Sequence, residues 1–265
     1  MTKKYNHKSN ASNRGDIVKH VFLYFLRSCI FRYADVHSGY YSYDLSSEFN
    51  RFKEKVSGLD LGLDKFFEAQ SSCYLSSHAL HKYFNPSSAI MYLFDICSDV
   101  TDSLRHTYKN LDRVHVFNYA ATKEEIEKYH PDFVLLDPPG LKSKSNKKYP
   151  CVKKEILPLL NSVFSLPNSS AMMWIPLTKS RTSKRMIPSQ SCLDNVSVLN
   201  NSLVDKMKAF SVDFNGWNNI NSSFIGCNIY LSSKMFDYAN DIGIAPFDKM
   251  SKICKVTGWN FNRLF

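Results

Sequence analysis

The chain has 265 residues, 44% of them hydrophobic and 14% aromatic, which excludes a disordered chain and suffices for one large domain around a buried core. Lys and Arg number 34 against 24 Asp and Glu, a formal charge of +10 that suits a polyanion such as nucleic acid or is simply a basic surface. Seven cysteines (29, 73, 97, 151, 192, 227 and 254) are scattered without a C-x-x-C pair, and only His78 and His81 stand close together among the histidines; this excludes a disulfide framework and leaves no metal expected.

In chain order, the first predicted element is a helix opened by Asp16 as its cap, "DIVKHVFLYFLR", with Ile17, Val21, Tyr24 and Phe25 on its apolar face. The apolar run 21–31 is too short to span a bilayer and Arg27 interrupts it. The basic start "MTKKYNHKSNASNRGD" is not followed by a signal-peptide core, so a cytoplasmic protein with no membrane partner is expected.

A strand follows at 31–36, "FRYADV", and residues 44–70 form a small helical insertion. Further strands are predicted at 89–95, 114–118, 133–137 and 171–176, with helices at about 100–108 and over "KEEIEKYH". The stretches 209–215 and 224–233 form a final pair of strands. This alternation predicts an α/β, Rossmann-like fold, a mostly parallel sheet covered by helices, as one domain over 1–265. Such a sheet puts its ligand at the carboxyl ends of its strands, and His37, Asp95, Asn118 and Asp137 each stand just past a predicted strand.

The motif "VLLDPPG", 134–140, ends the fourth of these strands on a carboxylate. Pro138 and Pro139 fix φ and offer carbonyls without competing N–H groups. A carboxylate and a neighbouring carbonyl can accept both hydrogens of an exocyclic amino group and aim its lone pair at an electrophile. Asp95 suits the hydroxyls of a ribose, or is a helix cap. After the first strand, "DVHSGYYS" holds only Gly39, so it is a poor glycine fingerprint.

The N-terminal block "YNHKSNASNRGDIVKH" resembles the signature of the J-type bacterial large-subunit (23S) ribosomal RNA adenine-N6 methyltransferases, the RlmJ family, with Tyr5, His7, Ala11, Asn13, Asp16, Lys19 and His20 in register. "ADVHSG" resembles that family's D-x-H-A-G turn and "YLSSH" its P-G-S-P element, with Ser77 in the serine position. "LFDICSD" resembles the strand carrying its ribose-binding acid, "LLDPPG" its D-P-P-Y, and "MWIPLTKSRTSKRMI" the stretch after its fifth strand. The similarity runs in order over roughly residues 5–235.

The resemblance implies a class I methyltransferase fold that uses S-adenosylmethionine. By position it implies cofactor contacts from His20, His37, Gly39, Ser77, Asp95, Asn118 and Tyr119, with Lys19 near the cofactor or RNA. Asp137 and Pro138 would hold the target amino group, and Tyr5 would lie near the base. A base attacked at its amino group must be unstacked or single-stranded.

The chain also departs from the family. Tyr40 and Tyr41 stand where a second glycine would let the cofactor approach, and Asn118 and Tyr119 replace an acid and a glycine. Gly140 stands where an aromatic ring stacks on the extruded base, an interaction worth roughly 1–3 kcal/mol. Tyr5, Tyr119 and Trp174 are candidate substitutes for that ring.

Two basic stretches follow strand ends: Lys142, Lys144, Lys147 and Lys148 after Asp137, and Lys179, Arg181, Lys184 and Arg185 after the fifth strand. Their position suits a phosphate backbone rather than the reading of bases. Together these features lead to an adenine-N6 methyltransferase of RNA, with RNA favoured over DNA. The alternatives are a methyltransferase-like binding protein without catalysis and a DNA adenine methyltransferase.

Overall fold

The computed structural model describes residues 12–87, 89–138, 140–141, 150–178, 188–214 and 224–265. Tyr5 and all eight cations of the two basic stretches lie outside the described residues. The chain divides into two compact units, 1–121 and 122–265. The α/β class expected from the sequence is the class observed.

The first unit begins with α1 (Arg14–Leu26). Its cap is Asn13, not Asp16: Asn13 Oδ1 accepts from the amides of Gly15 (2.8 Å) and Asp16 (3.2 Å). The expectation fell three residues late because an acid also favours the first helical turn, where it meets the positive end of the helix dipole. Asp16 does this and takes Lys19 Nζ at 3.0 Å. From Ile17 to Leu26 every residue is buried, so α1 has no solvent face there.

Three parallel strands follow in the order β1 (Arg32–Asp35), β4 (Ile90–Phe94), β5 (Val114–Phe117). Helices α4 (Ser77–Phe84) and α5 (Ser98–Thr107) connect them. The insertion is α2 (Ser47–Val56) and α3 (Asp64–Ala69), framed by a two-residue antiparallel ladder of β2 (Ser42–Tyr43) with β3 (Tyr74–Leu75). In α2, Phe49, Phe52 and Val56 recur on one face and are buried. Phe49 meets Phe66 at 6.2 Å and Tyr74 at 5.4 Å, Phe52 meets Phe67 at 6.0 Å, and Tyr24 of α1 meets Phe66 at 5.5 Å.

Arg14 pins the insertion to the start of α1. Its Nε and backbone N–H donate to the two oxygens of Glu48, at 3.0 and 3.1 Å, with the Arg14 side chain 5% exposed. A Glu48→Gln substitution removes the anion and leaves a buried guanidinium facing an amide. The expected result is a loss of about 1–3 kcal/mol in urea unfolding, with faster proteolysis inside 44–70.

The second unit holds α6 (Lys123–Tyr129), β6 (Phe133–Leu136), α7 (Leu157–Ser165) and β7 (Ser170–Thr178), with β6 and β7 parallel. After α8 (Gln190–Leu203) the strands turn antiparallel: β8 (Met207–Asp213) pairs with β9 (Phe224–Ser232), which pairs with β7. The expected final pair is therefore present, but a third strand, β10 (Asn260–Arg263), extends it beside β8, after α9 (Ser233–Asp241) and α10 (Pro246–Thr257). Gly226 is where β9 crowds β8; a Cβ there would collide with the Val212 carbonyl oxygen. Phe210, Phe236, Phe247 and Phe261 stack under β10, with ring centroids of Phe210 and Phe261 5.3 Å apart.

No helix of the described residues is long and apolar enough to cross a membrane. All seven cysteines are reduced.

Candidate functional site

In the first unit the register Asp35↔Leu93 and Phe94↔Phe117 brings the carboxyl ends of β1, β4 and β5 side by side. The chain leaving each strand carries one of the residues singled out from sequence: His37 after β1, Asp95 after β4, Asn118 after β5.

The turn after β1 is built on a buried acid absent from the expected set. Asp35 accepts from the Tyr33 hydroxyl at 2.9 Å and from the His37 amide at 3.2 Å, while its carbonyl accepts from Ser38 Oγ at 3.0 Å. Ser38 N–H donates to the Phe94 carbonyl at 3.0 Å. Gly39 then turns with φ +66°, a conformation that costs other residues roughly 1–2 kcal/mol. Its amide donates to Asp95 Oδ2 at 3.2 Å, and Cys97 N–H donates to Asp95 Oδ1 at 2.8 Å. One carboxylate, itself 7% exposed, thus holds the backbone past β1 and the backbone past β4.

Beyond Asp95 lies Ile96, 63% exposed, and beyond Asn118 lies Tyr119, 42% exposed. Both stand two residues past the paired Phe94 and Phe117 on adjacent strands. Tyr119 rests against those two rings, at 6.0 and 5.5 Å. Ile96 was not foreseen. Its exposure is the only signal of it, because an isoleucine between a strand and a helix is ordinarily core.

Others of the expected residues have partners within the unit. Asn118 donates its amide to Thr101 Oγ1 of α5 at 2.6 Å. His20 is 2% exposed; its Nε2 meets Ser77 Oγ at 3.0 Å and its ring stacks on Tyr74 at 5.0 Å. Burial, reinforced by Lys19 and His78, pushes the His20 pKa well below the usual histidine value, so the ring is neutral. Lys19 is buried and paired with Asp16. The structure therefore groups His20 with Ser77 between α1 and α4, and groups His37, Gly39 and Asp95 at the strand ends.

The rings that replace a second glycine are packed sideways. Tyr40 stands edge-on to Tyr43, whose hydroxyl accepts from the Tyr40 amide at 2.9 Å. Tyr41 packs on Tyr108 at 5.8 Å and on His78 at 6.5 Å.

In the second unit Asp137 is the first residue past β6, half-buried, followed by buried Pro138. The flanks of the following segment are tied down. The Leu141 carbonyl accepts from Asn195 Nδ2 of α8 at 3.4 Å, and the Cys151 amide donates to Glu155 at 2.5 Å in a turn of π-helix, Val152–Ile156. Trp174 is buried in β7, so of the two described substitutes for the missing ring only Tyr119 offers a face to solvent. Among the described residues no cluster of His, Cys, Asp and Glu could hold a metal ion.

No protein-family model matches the sequence, and no curated protein is similar to it in sequence. Among solved structures the chain is similar to protein LPL1258 of Legionella pneumophila strain Philadelphia 1, of the family model DUF519. That likeness has a TM-score of 0.69 at 14% identity and covers 96% of this chain and 97% of the other. It establishes the fold. Looser likenesses, which carry no inference, are to a Clostridium thermocellum protein provisionally described as an rRNA methylase (TM-score 0.45, 11% identity, 79% and 94% covered) and to the 23S rRNA methyltransferase ErmE (0.34, 10%, 87% and 81%).

Proposed function

We propose that this chain is an S-adenosylmethionine-dependent methyltransferase that modifies adenine N6 in RNA, ribosomal RNA foremost. The observation that carries the proposal is the strand-end cluster of the first unit, in which Asp95 holds the Gly39 turn beside two solvent-facing apolar residues, Ile96 and Tyr119. A carboxylate has about four accepting positions, so one acid can hold two backbone amides and also take ribose hydroxyls. An aliphatic and an aromatic face on adjacent strands suit the two sides of a nucleobase. The residues present thus fit an adenosyl cofactor, which when bound supplies an electrophilic methyl on a sulfonium.

Asp95 orients the ribose, Ile96 and Tyr119 flank the adenine, and Gly39 keeps side-chain bulk out of the turn. Asp137 and the Pro138 carbonyl accept the hydrogens of the target amino group, which frees its lone pair. No prior deprotonation is needed, and the proton leaves to solvent after transfer. The ordered similarity to the J-type adenine-N6 methyltransferases supports this assignment of Asp137, and the +10 charge supports a polyanionic substrate.

Transfer of labelled methyl groups from S-adenosylmethionine to unmodified ribosomal RNA and to DNA of matching sequence, followed by nucleoside analysis, tests the proposal. N6-methyladenosine from RNA is the expected product. Product from DNA alone moves the substrate to DNA.

A second reading, a nucleic-acid- or protein-binding protein without catalysis, draws on Tyr40 and Tyr41 in the cofactor turn and Gly140 after the prolines. Titration with S-adenosylhomocysteine separates the two. Micromolar binding favours the enzyme, whereas no binding with retained RNA affinity favours the binding protein.

A further inference from the structure

Behind the Gly39 turn lies an imidazole that none of the above uses. His78, on the first turn of α4, is fully buried. Its Nε2 meets Ser76 Oγ at 2.9 Å and its Nδ1 meets the Tyr108 hydroxyl at 2.9 Å. Both ring nitrogens are therefore satisfied within the unit, and either tautomer can serve the pair of hydroxyls.

The two partners belong to different structural joints. Ser76 is the N-cap of α4, accepting from the Ala79 amide at 3.4 Å, and its own amide donates to the Tyr41 carbonyl at 3.0 Å. Tyr108 closes α5, the helix that follows Asp95 and Cys97. Tyr41 packs its ring on both His78 and Tyr108, and the two latter rings meet edge-on at 5.8 Å. The carbonyls of Gly39 and Tyr40 lie beside the imidazole as well, where they partly offset the effect of burial on its protonation. One side chain thus touches the cap of α4, the end of α5 and the turn that carries Gly39.

We propose that His78 is a positioning residue: bridging Ser76 and Tyr108 against Tyr41, it fixes the Gly39–Tyr40 backbone so that Gly39 keeps its amide on Asp95 and the carboxylate is preset for a nucleoside. This rests on the cofactor-cradle assignment of the first unit. The physical reason is preorganisation. A turn already held in its bound shape loses less conformational freedom when the ligand arrives, and that saving appears as affinity. Here Tyr40 and Tyr41 occupy positions suited to a second glycine, and the imidazole gives those rings and their backbone one fixed arrangement.

Calorimetric titration of the full chain with S-adenosylhomocysteine reads this directly. His78→Phe keeps a ring of similar size but takes a hydrogen-bond partner from each of two buried hydroxyls, and losing such partners corresponds to about a tenfold change in an equilibrium. The expected result is a dissociation constant about tenfold weaker with one ligand still bound per chain, and partial recovery in His78→Gln, which returns one polar contact. A residue that merely holds up the core behaves differently, lowering the fraction of chains that bind while those that do bind keep the wild-type constant. That result, or equal constants in wild type and His78→Phe, overturns the proposal and leaves the cradle standing. No binding by the wild type overturns the cradle and the proposal with it. Should His78→Phe not fold, Tyr108→Phe removes a single oxygen and decides the matter; about threefold weakening supports the bridge and an unchanged constant overturns it.

Discussion

Replacing Asp137 by alanine is expected to lower methyl transfer about 10²- to 10³-fold, the usual cost of deleting one hydrogen-bonding group aimed at developing charge. Affinity for S-adenosylhomocysteine should change little, because the hydrogen bonds assigned to Asp137 go to the target amino group rather than to that ligand. Stability should change little, since Asp137 is half-buried just past β6 and does not belong to the Phe133–Leu136 core. Asp137→Asn sharpens the test. An amide keeps one accepting oxygen and presents N–H groups that oppose the hydrogens of the target amine, so an intermediate loss is expected. Activity equal to wild type in Asp137→Ala would exclude the carboxylate from the reaction. Undetectable transfer in the wild type together with no binding of S-adenosylhomocysteine would instead favour the binding protein without catalysis.

The strands at 90–94, 114–117 and 133–136 were legible because each is a short, mostly apolar run closed by an acid or an asparagine. Their carboxyl ends, and so Asp95 and Asn118, followed from the same pattern. What joins the site together was not legible, because the groups that hold Asp95 are backbone amides of Gly39 and Cys97, and a sequence does not display its N–H groups. Helix α4 was hidden for a related reason. "SHALHKYF" looks half polar, yet His78 and His81 are buried, one between two hydroxyls and the other stacked on Tyr33. Partnered polar groups reverse the hydrophobic pattern wherever they replace apolar core. The strand β10 escaped because three of its four residues are exposed, so no alternation marks the edge that Phe261 covers.

Acidification from pH 7 to pH 5 is expected to cost this protein much of its stability, through histidines rather than carboxylates. His78 and His81 are buried, and burial lowers each pKa from 6.5 to about 4. Lys82 adds to the effect on His81, the carbonyls of Gly39 and Tyr40 oppose it on His78, and His20 is shifted in the same direction. Above pH 6.5 these rings are neutral both folded and unfolded, so they impose no penalty. Between 6.5 and 4 the unfolded chain binds protons that the folded chain refuses, and stability falls by about 1.4 kcal/mol per pH unit for each ring. The two rings shifted to about 4 give a slope of about 3 kcal/mol per unit around pH 5, to which His20 adds in the same direction, against a total stability of about 5–15 kcal/mol for a typical domain. Urea midpoints at pH 7.5, 6.5, 5.5 and 5.0 measure that slope and hence the number of protons taken up. His81→Phe isolates one ring. Phenylalanine keeps the stack on Tyr33 at 4.8 Å, gives up a contact with Asn85 at 3.4 Å, and removes an Nε2 that has no hydrogen-bond partner among the described residues. The variant should match wild type near pH 7, exceed it at pH 5, and take up about one proton fewer on unfolding. An unaltered slope would mean that His81 carries its charge inside the fold, which its burial and the neighbouring Lys82 oppose.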